Sequence, residues 1–344
     1  MTIRSDIFKF FQNLNFVFLS GFDKINSINE NNNLYINAMY DLMENDEIRT
    51  QAYRKVISEK VKDKVAVEIG TGKALLLPKF CVDAGVKKIY TIEENEKAFA
   101  ESKKLLEELN LEEKIKIYQG FSQDIEIEEK CDILVHEIVG SIGSREGMVL
   151  AVNDAKERFL KPNAEFIPYQ CITKIAPVSP LKLSPYQQIV NLFLKLIMKN
   201  VIINLSDDFN FSKPRTYLTC NFPVCNLIAE PQEFENIVFA ENLTMIDDKT
   251  IEFIIEKPSL FDGFIFYINL WVDRETVIDT LSQKTSWLVR YAKLFEKPLK
   301  LEAGDFIKVK IERDVSTTQP KYEIHATVGK NGRSVFAKKS YKLC

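Results

Sequence analysis

Histidine is almost absent from this sequence. His136 and His325 are the only two, and the six cysteines (Cys81, Cys131, Cys171, Cys220, Cys225 and Cys344) include no Cys-x-x-Cys pair. That scatter argues against a structural zinc site or any other bound metal, and cytosolic thiols are the default expectation for such cysteines. Long hydrophobic runs are missing too. No stretch approaches the ~20 apolar residues of a membrane-spanning helix. The aromatic start is broken by Asp6, Lys9, Gln12, Asn13 and Asn15, so it lacks the apolar centre of a secretory signal, and a cytoplasmic protein is expected. Charge of one sign is also lacking: the formal net charge of −3 leaves no footprint for nucleic acid or an anionic membrane surface, and agrees weakly with a basic substrate. What is present, 344 residues with 46% hydrophobic and 28% charged side chains, is the composition of a globular protein with two domains of roughly 100–200 residues each.

Residues 1–30 form an aromatic, amphipathic lead-in closed by the polar run Asn29-Glu30-Asn31-Asn32-Asn33. From Leu34 to Val61 apolar residues recur at helical spacing, with Arg49 inside the pattern, where it reads by itself as a surface arginine paired with a glutamate. Next, Val65-Ala66-Val67-Glu68-Ile69 reads as a buried strand, Gly70-Thr71-Gly72-Lys73-Ala74 as a tight turn, and Leu75–Ala84 as a helix. Strand, glycine turn and helix start a nucleotide-binding unit: the glycines admit a ligand close to the backbone, and free N–H groups at the helix start attract its negative parts. Taken singly the glycines are a weak signal. The second strand, Lys88–Ile92, ends at Glu93, about twenty residues on, where a carboxylate can hold both hydroxyls of a ribose. A helix at Glu96–Leu109 and a third strand at Ile115–Tyr118 follow, the latter running into Gln119-Gly120-Phe121-Ser122-Gln123-Asp124. The alternation predicts a doubly wound, Rossmann-like α/β domain over residues 61–168.

A fourth strand, Cys131–Val135, leads into Val-His-Glu-Ile-Val-Gly-Ser-Ile-Gly-Ser-Arg-Glu-Gly-Met, residues 135–148. Glu137 falls at the carboxyl end of that strand, where open α/β sheets bind ligands. Gly140 and Gly143 allow the backbone to fold Glu146 back beside Glu137. Like charges held together are costly unless a cation sits between them or one is protonated, so the pair suggests a cationic ligand; by itself the loop also reads as two solvated glutamates. After Ile167-Pro168 the pattern changes to short β-type runs at Cys171–Ala176, Thr250–Ile255, Gly263–Val272, Ser286–Leu294, Phe306–Arg313, Tyr322–Val328 and Ser334–Lys338, an antiparallel barrel or sandwich over residues 169–344. Gln187–Lys199, apolar on nearly every side, reads as a buried helix inserted among them.

From about Leu34 to the C-terminus these residues resemble the protein arginine methyltransferases, enzymes that use S-adenosylmethionine. Glu68-Ile69-Gly70-Thr71-Gly72 is similar to that family's cofactor loop, Glu93 to its ribose-holding acid, and Asp46-Glu47-Ile48-Arg49-Thr50 to a segment whose arginine contacts the methionine carboxylate. Glu137 and Glu146 match the family's double-glutamate loop in identity and spacing, and Thr285-Ser286-Trp287 matches a Thr-His-Trp element facing the substrate pocket. The resemblance implies a Rossmann-like cofactor domain, a β-barrel, and residues 1–60 as a helical segment capping the cofactor site. It places Arg49, Glu68, Gly70, Gly72, Glu93, Ser122 and Gln123 on the cofactor, and Tyr40, Met43, Met148, Ser286 and Trp287 around the acceptor. A homodimer is implied as well, with residues 181–211 as the candidate insertion that grips the neighbouring subunit. The departures are specific. Ser286 replaces histidine as in the branch making symmetric dimethylarginine, Met43 and Met148 match the asymmetric branch, Gln123 stands where many members carry an adenine-contacting glutamate, Ala74 replaces a glycine, and His136 replaces a serine.

Methyl transfer from a sulfonium is an in-line displacement, so the main task is to aim a nitrogen lone pair at the methyl carbon. A guanidinium, with a pKa above ~12, shares its charge over all its nitrogens. A carboxylate fork along one edge fixes its plane and draws charge toward the bound nitrogens. Glu137 and Glu146 are the candidate fork, acting on an arginine of a protein or peptide or on free arginine. Three readings compete: a methyltransferase on another nucleophile, a nicotinamide-dependent oxidoreductase with the same glycine turn, and a cofactor-binding partner subunit without catalysis.

Overall fold

The computed structural model describes residues 17–19, 43–181, 214–219, 222–330 and 335–343. Strand β1 (Val17–Leu19) pairs antiparallel with Arg215–Thr219. Helix α1 (Glu47–Lys60) begins at Asp46, whose carboxylate accepts the backbone N–H of Arg49 at 3.0 Å and so satisfies one of the free donors of the first turn. Arg49 and Tyr53 lie one turn apart on its buried face.

There follow β2 (Val65–Ile69), α2 (Leu76–Asp83), β3 (Lys88–Glu93), α3 (Glu96–Glu108), β4 (Ile115–Gln119), β5 (Cys131–His136), α4 (Met148–Arg158) and β6 (Leu160–Ile167). The five strands form one parallel sheet in the order β4-β3-β2-β5-β6. The chain reverses direction across the sheet between β3 and β5, on either side of β2, and the crevice outside the carboxyl ends at such a switch is where open α/β sheets take ligands. Strands β2 and β5 are buried nearly throughout, which is why they read as unbroken apolar runs. Strand β6 is not expected from the sequence. Its Lys161-Pro162-Asn163 stretch looks like a turn, but the strand sits at the sheet edge, where proline is tolerated, and its register with β5 jumps between Cys131 and Ile133.

The remainder is antiparallel: β7 (Gln170–Val178), β8 (Arg215–Thr219), β9 (Gln232–Val238), β10 (Ile246–Ile254), β11 (Ser259–Phe261), β12 (Gly263–Trp271), β13 (Val277–Asp279), β14 (Val289–Lys293), β15 (Leu299–Leu301), β16 (Phe306–Asp314), β17 (Lys321–Gly329) and β18 (Val335–Leu343). One sheet runs β1-β8-β14-β12-β7-β9 with β13 beside β12, a second runs β10-β16-β17-β18, and β11 pairs with β15. Strand β16 shows the physical basis: Ile307, Val309 and Ile311 face the core while Lys308, Lys310 and Glu312 are exposed. Strands β8 and β9 are likewise unanticipated. In β9 the apolar alternation is masked by Glu235, a carboxylate pointing inward. Residues of both halves belong to one hydrophobic core, Ile142 of the loop after β5 together with Cys171, Ile237 and Phe239 of the antiparallel half. The predicted helix Gln187–Lys199 and the insertion 181–211 lie outside the described residues apart from Leu181. Among the described residues no helix is long and apolar enough to cross a membrane.

Candidate active site

Gly70 and Gly72 follow β2, Glu93 ends β3 and Glu137 follows β5, so these residues gather at the carboxyl ends of the strands. After β2 the backbone turns at Gly70 and Gly72, both with left-handed φ (89° and 65°), a conformation glycine adopts without a Cβ penalty. The Gly72 N–H donates to Glu93 Oε2 at 2.7 Å and the Asn95 N–H to Glu93 Oε1 at 2.9 Å, so the acid ending β3 is tied to the glycine turn. Burial pushes the Glu93 carboxyl up from its ordinary value, and those two N–H bonds oppose the shift. Glu68, fully buried within β2, accepts a bond from the Thr91 hydroxyl. Burial is the main cause that raises its carboxyl to about 8, with the charges of Glu93 and Glu137 adding to it.

Glu137 follows β5 directly and is buried. Its Oε2 accepts a short bond from Arg49 Nη2, and the Arg49 guanidinium lies over the Trp287 ring, 5.4 Å from its centroid. The aromatic face expected to meet an acceptor's guanidinium therefore meets that of Arg49. Burial raises the Glu137 carboxyl, Glu146 and Asp46 add to the rise, and Arg49 opposes it. Helix α1 holds this end of β5 in place: the Tyr53 hydroxyl donates to the His136 carbonyl at 3.1 Å. The Asp46 carboxylate that caps α1 also accepts the Ser286 backbone N–H, which fixes the Thr285-Ser286-Trp287 segment against the same helix. Asp46 and Tyr53 are not singled out by the sequence. The available signals were an aspartate three residues before Arg49, in cap position, and a tyrosine one helical turn after it.

Between Glu137 and Glu146 the loop is drawn tight. A Cβ on Gly140 would meet Arg145 Cβ at 2.8 Å and one on Gly143 would meet Cys171 Sγ at 2.7 Å, so both glycines are required by close approach. Glu146 itself takes a left-handed φ of 65°, followed by Gly147 at 70°, and this double turn starts α4. Its Oε1 would lie 3.4 Å from a Cβ on Gly140, which places the second carboxylate over the loop, exposed where Glu137 is buried. The antiparallel half grips the loop through Trp287 Nε1, which donates to the Val139 carbonyl at 2.7 Å, and Arg290 Nε, which donates to Ser141 Oγ at 2.6 Å.

Ser122 and Gln123 form a short turn after β4, with Ser122 Oγ donating to Gln123 Oε1 at 3.3 Å. Arg158 at the end of α4, unremarked in the sequence, holds that turn through the carbonyls of Ser122 and Ile125. Met148 is fully buried at the start of α4 and Met43 is half-buried beside the α1 cap, while Tyr40 lies outside the described residues. His136 is fully buried with its ring edge-on to Phe239, 4.6 Å between centroids, and burial drives its imidazole down to about 3. In the crevice, Arg49 Nη1 and Glu68 Oε1 are buried without a hydrogen-bond partner among the described residues. An unpaired buried polar atom costs roughly 1–3 kcal/mol, so the crevice suits a ligand that presents an anionic end to Arg49 and a donor to Glu68.

Residues 28–167 match the sequence model of the family described as PRMT5 arginine-N-methyltransferase. A probable protein arginine N-methyltransferase 6.1 of Oryza sativa subsp. indica is 30% identical over 145 residues, covering 41% of this chain and 38% of the relative. Protein arginine N-methyltransferase 6 of Danio rerio is 30% identical over 145 residues, covering 41% of each. These matches thus span about two fifths of the curated relatives' lengths. Among solved structures, Arabidopsis thaliana protein arginine methyltransferase 10 superposes with a TM-score of 0.69 at 17% identity, over 88% of this chain and 96% of that one. The Trypanosoma brucei PRMT1 enzyme-prozyme heterotetrameric complex with AdoHcy gives 0.68 at 17%, over 88% and 97%. The family-model match covers residues 28–167, and the structural likeness extends over 88% of the chain.

Proposed function

We propose that this chain, whose residues 28–167 match the model of the PRMT5 arginine-N-methyltransferase family, is an S-adenosylmethionine-dependent N-methyltransferase acting on an arginine guanidino group. The observation that carries the reading is the pair of glutamates: Glu137 buried at the end of β5, and Glu146 folded back over Gly140 by two left-handed residues. S-adenosylmethionine, when bound, supplies an electrophilic methyl group on a sulfonium. Arg49 Nη1 would hold its carboxylate, Glu93 its ribose, and the Gly70–Gly72 turn would admit it close to the backbone. Ser122 and Gln123 would lie toward its base.

The chain's own residues then do the positioning. Arg49 stays paired with Glu137 and opposes the burial that raises that carboxyl. The ionised Glu137 and Glu146 hold a guanidinium by charge-assisted bonds along one edge, which orients the remaining nitrogen toward the methyl and draws positive charge away from it. Either carboxylate can take the proton released as the N–C bond forms. Trp287, anchored through its indole N–H, keeps water from the buried side of Arg49.

The acceptor is an arginine of a protein or peptide, or free arginine. Mass spectrometry of parallel reactions with free L-arginine and with a pool of arginine-rich peptides tests this. Methylarginine in either arm supports the reading and names the substrate class, whereas cofactor binding with no methylated product in both arms defeats it. We also read the chain as a homodimer, supported by a solved neighbour of the same fold that is a heterotetrameric complex; light scattering showing a monomer at assay concentration would remove that statement. A cytoplasmic setting is supported by the free thiols of Cys81, Cys131, Cys171 and Cys225.

A further inference from the structure

We infer that Glu235, in the antiparallel half of the molecule, is a positioning residue for the two-glutamate loop. This rests on the proposed use of that loop as a guanidinium fork. Glu235 lies on β9 with 4% of its surface exposed, and its contacts near the loop converge on residues 143 and 144, between Glu137 and Glu146 and nearer the second. Its Oε1 accepts the Ser144 backbone N–H at 3.0 Å and the Thr173 hydroxyl at 2.7 Å. Thr173 Oγ1 in turn accepts the Gly143 N–H at 2.9 Å. Its Oε2 accepts the Ser144 hydroxyl at 2.5 Å and Arg313 Nη1 at 3.3 Å. Because the Ser144 proton goes to Glu235, the Tyr322 hydroxyl 2.9 Å away must donate to Ser144 Oγ.

Two consecutive loop amides are therefore satisfied by one carboxylate, directly and through one hydroxyl. Both lie outside helix and sheet, so this carboxylate takes the place of a ladder partner and sets the curvature of the loop there. Arg313 balances the buried charge and is itself held by Asp247 at 2.6 Å and by the Thr244 carbonyl at 3.1 Å. The approach is close enough that a Cβ on Gly143 would lie 3.2 Å from Glu235 Oε1. Ser144 precedes Glu146 by two residues, so the carboxylate sets the height at which the chain enters the left-handed turn that carries Glu146. The side-chain bonds of Arg49 and Glu93 run elsewhere, to Glu137 and to the Gly72 and Asn95 amides. Glu235 thus governs the acceptor side of the site and leaves the cofactor side alone.

The test compares wild type with Glu235→Gln, and with Ser144→Ala and Thr173→Val as milder variants in case loss of the buried charge prevents folding. Three readouts are taken on the full chain: S-adenosylhomocysteine affinity, kcat and KM for an arginine acceptor, and amide exchange of the peptide covering residues 140–147. The expected result is unchanged cofactor affinity, kcat lower by about tenfold to a hundredfold in Glu235→Gln, as for a displacement on the order of 1 Å, and faster exchange confined to 140–147. Exchange at wild-type rate in all three variants, or acceleration spread evenly over the chain, overturns the inference. So does a kcat per folded molecule equal to wild type. If wild type methylates no arginine, the proposed function fails, and the exchange result still decides whether Glu235 positions the loop.

Discussion

Replacing Arg49 with alanine perturbs both sides of the site at once, and the structure gives the size of each effect. Glu137 loses the cation bonded to its Oε2, and removing one partner of a buried pair costs about 3–5 kcal/mol if the other stays ionised. Glu137 limits that cost by taking up a proton. Its carboxyl is already raised by burial and by Glu146 and Asp46, and Arg49 is the group that opposes the rise. In Arg49→Ala the carboxyl moves further up, so the ionised form needed for the fork disappears as pH falls, starting from a higher pH than in wild type. The acid limb of kcat/KM moves to higher pH, and a displacement of that limb by one pH unit corresponds to roughly 1.4 kcal/mol between the two protonation states. On the cofactor side, the unpartnered Nη1 is removed; a hydrogen bond to a charged group is worth about 1.5–3 kcal/mol, roughly a tenfold to more than hundredfold weaker Kd. Calorimetric titration with S-adenosylhomocysteine and a pH–rate profile measure the two effects separately. A variant that keeps both the wild-type Kd and the wild-type acid limb refutes the reasoning.

Two further predictions rest on single contacts. Glu68 has a folded-state carboxyl near 8, well above its unfolded value of 4.5, so its contribution to stability is complete below pH 4.5 and is lost as pH rises toward 8. Glu68→Gln removes that slope, at most about 1.4 kcal/mol per pH unit, and urea melts of both proteins without ligand across that range should converge at low pH and separate at high pH. Gly143→Ala drives a methyl to within 2.7 Å of Cys171 Sγ, and overpacking of this kind costs about 1–3 kcal/mol, read as a lower Tm together with lost turnover.

Much of this is legible in the sequence wherever one residue's local role coincides with its global one. Strand β2 has the boundaries its apolar run suggests, and Glu93 ends β3 in contact with the glycine turn because the βαβ unit fixes that spacing. From the sequence, Gly140 and Gly143 are the residues expected to let the backbone fold Glu146 back beside Glu137; in the structure Glu146 itself takes the left-handed conformation, while Gly140 and Gly143 serve close packing. What escapes a reading of the sequence are features defined across the two halves. Glu235 makes β9 look like a polar loop, although its charge is satisfied by Arg313, Ser144 and Thr173, none near it in the chain. The link from Asp46 to Ser286 spans the same kind of distance, and no local period reports it. The Trp287 ring faces Arg49, an internal cation that periodicity alone could not pair with it.

The central claim is that the Glu137–Glu146 fork aims an arginine nitrogen at a methyl group. It is tested most directly with S-adenosylmethionine carrying an isotopically labelled methyl, an arginine acceptor, and fragmentation mass spectrometry to locate the label, run on wild type and Glu137→Gln. The account predicts label on the guanidino nitrogens with wild type, and a rate lower by at least roughly a hundredfold with the variant, the equivalent of about 3 kcal/mol. Label on any other nucleophile, or equal rates for the two proteins, would contradict it.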